Sequence, residues 1–211
     1  MSRLLIVNPN TNAAVTRWLG DEAARVAPEG IEIVAISAES GLAALLTPED
    51  VEIAGGAVVQ TIEAYAKTRH LMGAIVAAFG DPGLAAARAQ APMPVVGLGE
   101  AGIRAAGRGG RRFSIVTLGA AMREPILARA AALGVGANLV EVCVLPFSIP
   151  EMIADREEAR ALIMEAVRRC HGEAVLLGGA PFAGMARDAA RETGKVVLDG
   201  VEACVRAITA D

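Results

Sequence analysis

Polar residues able to hold a small carboxylate or carbonyl stand directly after the first apolar run of the chain. Asn8-Pro9-Asn10-Thr11 follows the run at 4–7 and precedes a stretch with helical periodicity. Asn10 or Thr11 in this position can cap the helix by accepting from the free amides of its first turn. The same amides and the Asn side chains can also hold a ligand carboxylate or carbonyl, because a helix start carries partial positive charge. The pattern predicts a cap, a ligand contact, or both.

Further candidate groups follow later apolar runs in the same way. In open parallel α/β sheets, ligands bind beyond the carboxyl ends of the strands. This rule nominates Asn8 to Thr11, Glu39, Ser40, Phe79 to Asp81, Gly99, Glu100, Thr117, Leu118, Phe147, Ser148, Gly179 to Phe182 and Asp199. The two histidines, His70 and His171, precede their strands, so the same rule places them at the opposite rim.

The elements that must position these residues alternate along the chain. Candidate strands lie at 3–8, 31–36, 73–78, 94–97, 112–117, 139–145, 174–178 and 195–198. Helical periodicity covers 11–27, 50–68, 83–90, 100–107, 120–133, 150–170, 184–193 and 200–209. Alternation of this kind predicts βαβ crossovers and mainly parallel sheets.

Segments of the chain also repeat at an offset of about 100 residues, a period too long for a solenoid and suited to a duplicated half-domain. Gly73-Ala-Ile-Val-Ala-Ala78-Phe-Gly-Asp81 is answered by Glu173-Ala-Val-Leu-Leu-Gly178-Gly-Ala-Pro-Phe182. We therefore predict an α/β fold of two similar halves, related by a pseudo-two-fold axis, whose loops face each other across one cleft.

Composition narrows the class of partner. Of the 211 residues, 54% are hydrophobic and 3% aromatic, which favours α/β layers packed with Ala, Val, Ile and Leu. The net charge of −4, with signs interspersed, indicates neither a nucleic-acid nor a membrane partner. Three scattered cysteines, Cys143, Cys170 and Cys204, predict no disulfide or metal framework, so we interpret them as structural. A cytoplasmic protein with a small-molecule ligand is expected.

One glycine motif is compatible with a different function, dinucleotide binding. Gly97-Leu-Gly99-Glu-Ala-Gly102 matches the dinucleotide fingerprint, follows a candidate strand and opens a helix. It lies in the middle of the chain, and the next strand ends at Thr117-Leu-Gly119, without the acidic residue that would hold a ribose. A dinucleotide-dependent oxidoreductase is therefore the outside alternative, and binding of NAD(H) or NADP(H) would distinguish it.

The order and spacing of several motifs resemble the hydantoin racemase branch of the aspartate/glutamate racemase superfamily, over nearly the whole chain. The motifs are Asn8-Pro-Asn-Thr11, Phe79-Gly-Asp-Pro-Gly-Leu84, Gly99-Glu-Ala101 and the run from Leu177-Gly to Ala-Gly184-Met-Ala186. The resemblance implies two flavodoxin-like lobes, an active site between them, no cofactor and a homo-oligomer. It also implies that the C-terminal segment completes the first lobe, so that 1–97 plus 195–211 form lobe 1 and 98–194 form lobe 2.

The family's chemistry, as the resemblance implies it, uses two cysteines on opposite faces of a planar substrate. One thiolate removes the α-proton and the other thiol returns a proton. The motifs place these cysteines at Ala78 and Gly179 of this chain, neither of which has a titratable side chain. The cysteine mechanism is therefore expected to be absent.

Two classes of function remain open, and the resemblance favours the first, an isomerase of the racemase or epimerase type that acts on amino acids and their derivatives. A racemase-like isomerase, lyase or hydrolase would use Asp81 and Glu100 as bases if burial raised their pKa, with an oxyanion held by Asn8, Asn10, Thr117 and the amides around Gly80 and Ala180. A non-catalytic homologue would bind a small carboxylate or cyclic ureide without turnover. The predicted substrate-binding residues are Asn8, Asn10, Thr11, Phe79, Gly80, Thr117, Leu118, Phe147, Ala180, Pro181 and Phe182.

Overall fold

Two four-stranded parallel sheets with the same strand order form the scaffold of the computed structural model, which describes residues 2–38, 41–146 and 148–210. The first sheet, ordered β2-β1-β3-β4, contains β1 (Ser2–Asn8), β2 (Ile31–Ser37), β3 (Gly73–Val76) and β4 (Val95–Gly97). The second, ordered β6-β5-β7-β8, contains β5 (Phe113–Thr117), β6 (Leu139–Val144), β7 (Ala174–Gly178) and β8 (Val196–Asp199). The predicted α/β class with two similar lobes is confirmed.

Helices cover both faces of each sheet, because the inner strands β3, β5 and β7 are buried and mostly apolar along their whole length. The helices are α1 (Ala13–Val26), α2 (Pro48–Thr68), α3 (Leu84–Gln90), α4 (Leu98–Ala106), α5 (Arg123–Ala132), α6 (Ile149–Ala154), α7 (Arg156–Arg169), α8 (Ala186–Thr193) and α9 (Gly200–Thr209). Across the described ranges, none of them combines the length and hydropathy needed to cross a membrane.

The single helix predicted over 150–170 is wrong. Asp155 interrupts it with an extended backbone (φ −133°, ψ 90°), ending α6 and beginning α7. Its side chain accepts from the backbone N–H of Glu158 at 2.9 Å and so caps the second helix. A capping Asp stabilises a new helix start, which offsets the break in helical periodicity.

The two lobes exchange a helix. Ile103 and Ala106 of α4, which follows the first sheet, pack against the core of the second sheet around Phe113. Val201 and Val205 of α9, which follows the second sheet, pack against the core of the first. Helix α4, which follows the last strand of the first sheet, therefore covers one face of the second sheet. Helix α9, which follows the last strand of the second sheet, covers one face of the first.

The strand before α9 corrects one predicted boundary. Residues 195–211 were expected to lie wholly in lobe 1, but β8 pairs in parallel with β7, with Ala174 opposite Val196. Because α8 packs on β8 and is a short crossover, the strand pairs with its neighbour in sequence. The helix that follows it, α9, packs against the core of the first lobe.

Candidate functional site

A cleft of about 540 Å³, including its open mouth, lies between the lobes at the carboxyl ends of the strands. The first lobe contributes Asn10, Leu45, Leu46, Val51, Ala78, Phe79 and Gly80. The second lobe contributes Thr117, Leu118, Met122, Ile149, Gly178, Gly179, Ala180 and Pro181. Ala78 and Gly179 thus line one cleft from opposite sheets.

The two turns that carry Ala78 and Gly179 are closed by matching backbone hydrogen bonds. The carbonyl of Ala78, just after β3, accepts from the backbone N–H of Asp81 at 3.0 Å. The carbonyl of Gly179, just after β7, accepts from the backbone N–H of Phe182, also at 3.0 Å. The sequence repeat therefore becomes a structural repeat, which gives both residues equivalent places on the cleft wall.

The predicted site residues divide between cleft and interior. Nine of them line the cleft: Asn10, Ala78, Phe79, Gly80, Thr117, Leu118, Gly179, Ala180 and Pro181. Five do not: Asn8, Thr11, Asp81, Glu100 and Phe182. Phe147, with Glu39 and Ser40, lies outside the described residues. The sequence argument missed Leu45, Leu46, Val51, Met122, Ile149 and Gly178, most of which follow no strand end and carried no polar signal.

Asn8 positions the cleft residue Asn10 rather than contacting the cleft itself, so its predicted ligand contact is wrong. Asn8 is fully buried, and its Nδ2 donates to Asn10 Oδ1 and to Thr16 Oγ1, both at 2.9 Å. Asn10 Oδ1 also accepts from the backbone N–H of Asn12 at 2.9 Å. With its oxygen committed, Asn10 presents its Nδ2 group, which meets no acceptor among the residues that the structure describes.

The predicted cap of α1 is displaced by one or two residues. Asn12, not Asn10 or Thr11, is the N-cap, since its Oδ1 accepts from the backbone N–H groups of Ala14 and Val15. Thr11 is exposed, and its backbone N–H donates to the carbonyl of Leu42 at 3.1 Å.

Thr117 can accept from a ligand but cannot donate to an oxyanion as predicted. Its Oγ1 lies 2.6 Å from the carbonyl oxygen of Gly178 and donates its only proton there. The hydroxyl oxygen keeps lone pairs, and Thr117 lines the cleft, so this buried group can accept from a ligand N–H.

Backbone amides supply the other donors of the cleft. The N–H groups of Phe79, Gly80, Gly179 and Ala180 donate to no acceptor within the described part of the chain. Two come from each lobe, in the two equivalent turns. Amides held by turns are pre-organised donors for a carbonyl or carboxylate oxygen.

Asp81 is occupied inside the protein, so its predicted role as a base in the cleft is wrong. Its carboxylate accepts from the backbone N–H groups of Gly99 and Glu100, each at 2.8 Å, and from Arg129 Nη1 at 2.8 Å. Burial raises the pKa of Asp81 to about 7, although Arg129 and the two amides oppose the rise. Its left-handed backbone (φ 51°) turns the side chain under α4, away from the cleft.

Glu100 is excluded as a base for a different reason. It forms ion pairs with Arg88 at 2.9 Å and Arg104 at 3.2 Å, on the outer side of α4. Burial works to raise the pKa of Glu100, but the two guanidinium groups outweigh it and lower the pKa. A paired carboxylate of low pKa outside the cleft is a poor proton acceptor there.

The contacts between Asp81 and the start of α4 also account for the glycine motif at 97–102. The amides at the start of α4, which a dinucleotide would need, already bind Asp81. A Cβ on Gly97 would lie 2.5 Å from Asp81 Cγ, and one on Gly99 would collide with the Phe79 carbonyl oxygen. The glycines therefore allow the Asp81 turn to approach α4 closely, and the geometry opposes the dinucleotide alternative.

The cleft lacks acid and base side chains among the lining residues that the structure describes, which are Asn, Thr, Met, Pro, Gly and apolar residues. The missing side chain at Gly179 is not imposed by the backbone. Its φ of 175° is extended, and an added Cβ would lie 3.3 Å from the Phe182 ring. Gly178 is different, because a Cβ there would lie 2.8 Å from Phe79 and 2.9 Å from Ile115.

Comparison with known proteins assigns the chain to one family. The family model described as Asp/Glu/Hydantoin racemase matches residues 4–208, so the chain belongs to that family. A hydantoin racemase of Paenarthrobacter aurescens is 29% identical over 208 residues, covering 97% of this chain and 88% of the relative. Relatives of this kind are named racemases, which are isomerases.

Solved structures agree with this assignment. An allantoin racemase from Klebsiella pneumoniae superimposes with a TM-score of 0.90 at 30% identity, covering 99% of this chain and 86% of the other. An allantoin racemase from Pseudomonas fluorescens gives the same TM-score at 28% identity, covering 98% and 88% of the two chains. The resemblance inferred from the sequence motifs is confirmed at the level of the family.

Proposed function

We propose that the inter-lobe cleft binds a small amino-acid-derived carboxylate or cyclic ureide, and that it does so without cysteine-based proton transfer. The observation that carries this proposal is the composition of the two equivalent turns. At Ala78 and Gly179, where the family resemblance expects thiols, no titratable atom faces the cleft. The hydrogen-bonding groups around them are nevertheless in place.

The chemistry of these groups supports the ligand class. A cyclic ureide alternates carbonyl and N–H groups around a planar ring. Asn10 Nδ2 and the free amides of the two turns can donate to its carbonyls, whereas Thr117 Oγ1 can accept from an N–H. Leu46, Val51 and Met122 offer an apolar wall for a substituent. The names of the hydantoin and allantoin racemases to which the chain is similar support the same class.

Binding is tested by thermal unfolding of the full chain with hydantoin, 5-substituted hydantoins, allantoin and N-carbamoyl amino acids. A ligand at about 100 times its Kd should stabilise the folded state by about 2.7 kcal/mol and raise Tm by several degrees. Absence of any shift across this panel at millimolar concentration would contradict the proposed ligand class.

Catalysis is tested separately, by incubating single enantiomers of the same compounds with the protein in deuterated water. We expect neither α-proton exchange nor loss of optical rotation above the buffer rate, because the described cleft residues hold no proton carrier. Exchange by the unmodified protein would show that another group performs the transfer and would overturn the second half of the proposal.

The double variant Ala78→Cys/Gly179→Cys tests whether the scaffold still orients a racemase-type substrate. A Cβ at Gly179 would lie 3.3 Å from the Phe182 ring, which must shift by a few tenths of an ångström. We expect the variant to fold with this adjustment and to gain α-proton exchange with the ligand that stabilises the wild type. The matched control, Ala78→Ser/Gly179→Ser, places hydroxyls of similar size whose pKa is too high for the reaction. Exchange in both variants, or in neither, would argue against the proposed arrangement.

A further inference from the structure

Away from the cleft, the second lobe brings together two cysteines and a carboxylate that are far apart in sequence. Glu141 and Cys143 lie on the edge strand β6, and Cys170 ends α7. One ligand atom from each of the three lies within 4.8 Å of the others. We propose that Glu141, Cys143 and Cys170 bind one Zn²⁺ ion or a similar thiophilic divalent cation.

The spacing of the two sulfurs is the first support. Cys143 Sγ and Cys170 Sγ lie 3.8 Å apart. Two thiolates each about 2.3 Å from a tetrahedral zinc ion are about 3.8 Å from one another. A disulfide would require about 2.05 Å, so the pair is not bonded. The thiols are therefore already at the separation that a bound zinc ion requires.

The second support is the set of contacts that fixes the carboxylate. Glu141 Oε1 accepts from Ser114 Oγ at 2.9 Å and from the backbone N–H of His171 at 2.7 Å. Ser114 Oγ in turn accepts from the backbone N–H of Gly172 at 2.9 Å. Only Oε1 takes part in these bonds among the described residues, so Oε2 is available to a metal. Partners of this kind hold metal ligands in position.

Binding is a ligand exchange with a simple balance. Zn²⁺ forms two Zn–S bonds and one Zn–O bond, and the two thiols release one proton each to the solvent. The fourth position is left to water on the exposed side of the cluster. The ion would connect the edge strand β6 to the junction of α7 and β7, which is a structural role remote from the cleft.

The test uses the full-length chain, reduced with a phosphine and freed of metal. Titration with Co²⁺ should give a thiolate-to-metal absorption band that saturates at one ion per chain, and Zn²⁺ should displace it. Cys143→Ser and Cys170→Ser should each weaken Zn²⁺ binding by at least about 100-fold, and Ser114→Ala by about 10-fold. Cys204→Ala is the matched control, because Cys204 is buried in the first-lobe core, and should leave binding unchanged.

The absence of a thiolate band in the reduced wild type, or unchanged affinity in Cys143→Ser, would overturn the proposal. If the serine variants do not fold, alkylation of the wild type gives an independent readout. Saturating Zn²⁺ should slow modification of Cys143, which is partly exposed, by at least about 10-fold, as counted by mass spectrometry. Equal rates with and without Zn²⁺ would exclude the site.

Discussion

At the scale of single residues, the cleft is defined by the hydrogen-bond donors and acceptors that remain available on each side chain after its internal hydrogen bonds are made. Asn10 gives its oxygen to the protein and its amino group to the cleft. Thr117 gives its proton to Gly178 and keeps its lone pairs. Ala78 and Gly179 contribute space and no titratable atom. These assignments make the site a set of donors and acceptors rather than an acid–base pair.

Asn10→Asp tests the donor role of Asn10. The substitution keeps Oδ1, which accepts from Asn8 and Asn12, and replaces the Nδ2 donor by a charged oxygen. We expect the affinity for a carboxylate or ureide to fall by at least about 10-fold, the effect of losing one hydrogen bond to an anionic or polar ligand. Isothermal titration measures it. Unchanged affinity, with Tm close to that of the wild type, would show that Asn10 does not contact the ligand.

Gly178→Ala and Gly179→Ala form a matched pair of adjacent substitutions. A Cβ at Gly178 would press on Phe79 and on the fully buried Ile115, so we expect a loss of about 1–3 kcal/mol in the free energy of unfolding. A Cβ at Gly179 would lie 3.3 Å from the Phe182 ring and 3.7 Å from Pro181 Cδ, and the loss should stay below about 1 kcal/mol. Urea unfolding compares the two. Equal losses would contradict the stated geometry of the turn.

At the scale of elements, Asp81 ties three segments together. It lies in the turn after β3, accepts from the first amides of α4 and pairs with Arg129 of α5, in the other lobe. Asp199 has a related place at the start of α9, where it accepts from the backbone N–H groups of Val201 and Gly184. Both carboxylates stabilise a helix start while being nearly excluded from water.

These two groups predict a pH dependence of stability. Burial raises the pKa of Asp81 to about 7 and, with the charge of Glu22, the pKa of Asp199 to about 6. In an unfolded chain both titrate near about 3.9, so the folded state binds more protons between these values and loses stability as pH rises. The free energy of unfolding should be greater at pH 5 than at pH 8, by about 2 kcal/mol or more. Urea titrations at both pH values measure it.

The variant Arg129→Gln tests how much of this pH dependence of stability comes from Asp81. Removing the cation leaves the ionised carboxylate less compensated, so the variant should lose more stability at pH 8 than at pH 5. We expect about 1–2 kcal/mol at pH 8, below the cost of breaking a fully buried pair, because 36% of the Arg129 side chain is exposed. Arg88→Gln, which removes a pair with the more exposed Glu100, is the control. An equal loss at both pH values would mean that Asp81 does not titrate in this range.

At the scale of the whole molecule, the exchange of α4 and α9 makes each lobe depend on the other for one side of its core. A second connection reinforces it. Arg156 of α7 lies over the ring of Trp18 in α1, 3.7 Å from the ring centroid, and donates to the carbonyls of Pro181 and Ala183. The turn after Gly179 is thus held by both lobes.

This sharing predicts that the two lobes unfold together. Trp18, the single tryptophan of the chain, reports on the first lobe by fluorescence. The buried Cys170 reports on the second lobe by reaction with a thiol reagent, counted at that residue by peptide mass spectrometry so that Cys143 and Cys204 are distinguished from it. Both probes should give the same urea midpoint, and Val205→Ala in α9 should lower both midpoints equally. Separate midpoints, or a shift seen by one probe only, would show that the lobes are independent.

Much of the architecture follows from local patterns. The eight strands begin and end within about two residues of their predicted bounds, because short apolar runs closed by Gly, Pro or Asn are recognisable without tertiary information. The break at Asp155 was missed, since an Asp within a helical pattern has the same appearance whether it caps a helix or faces solvent. The rule for strand ends predicts that Gly179 lies on the cleft wall, whereas Ala78 is singled out by the family resemblance.

The linear order of residues by itself determined the secondary elements, the duplicated parallel sheets and the edge at which they present their loops, because these depend on neighbours a few positions apart. Only the tertiary structure determined which contacts the polar and sulfur groups make and whether they face the cleft. Asp81 meets Gly99 and Arg129, 18 and 48 positions away, and Cys143 meets Cys170, 27 positions away. Burial and charge pairing are set by such distant contacts, and they turn an expected base into an internal anchor and two scattered thiols into one cluster.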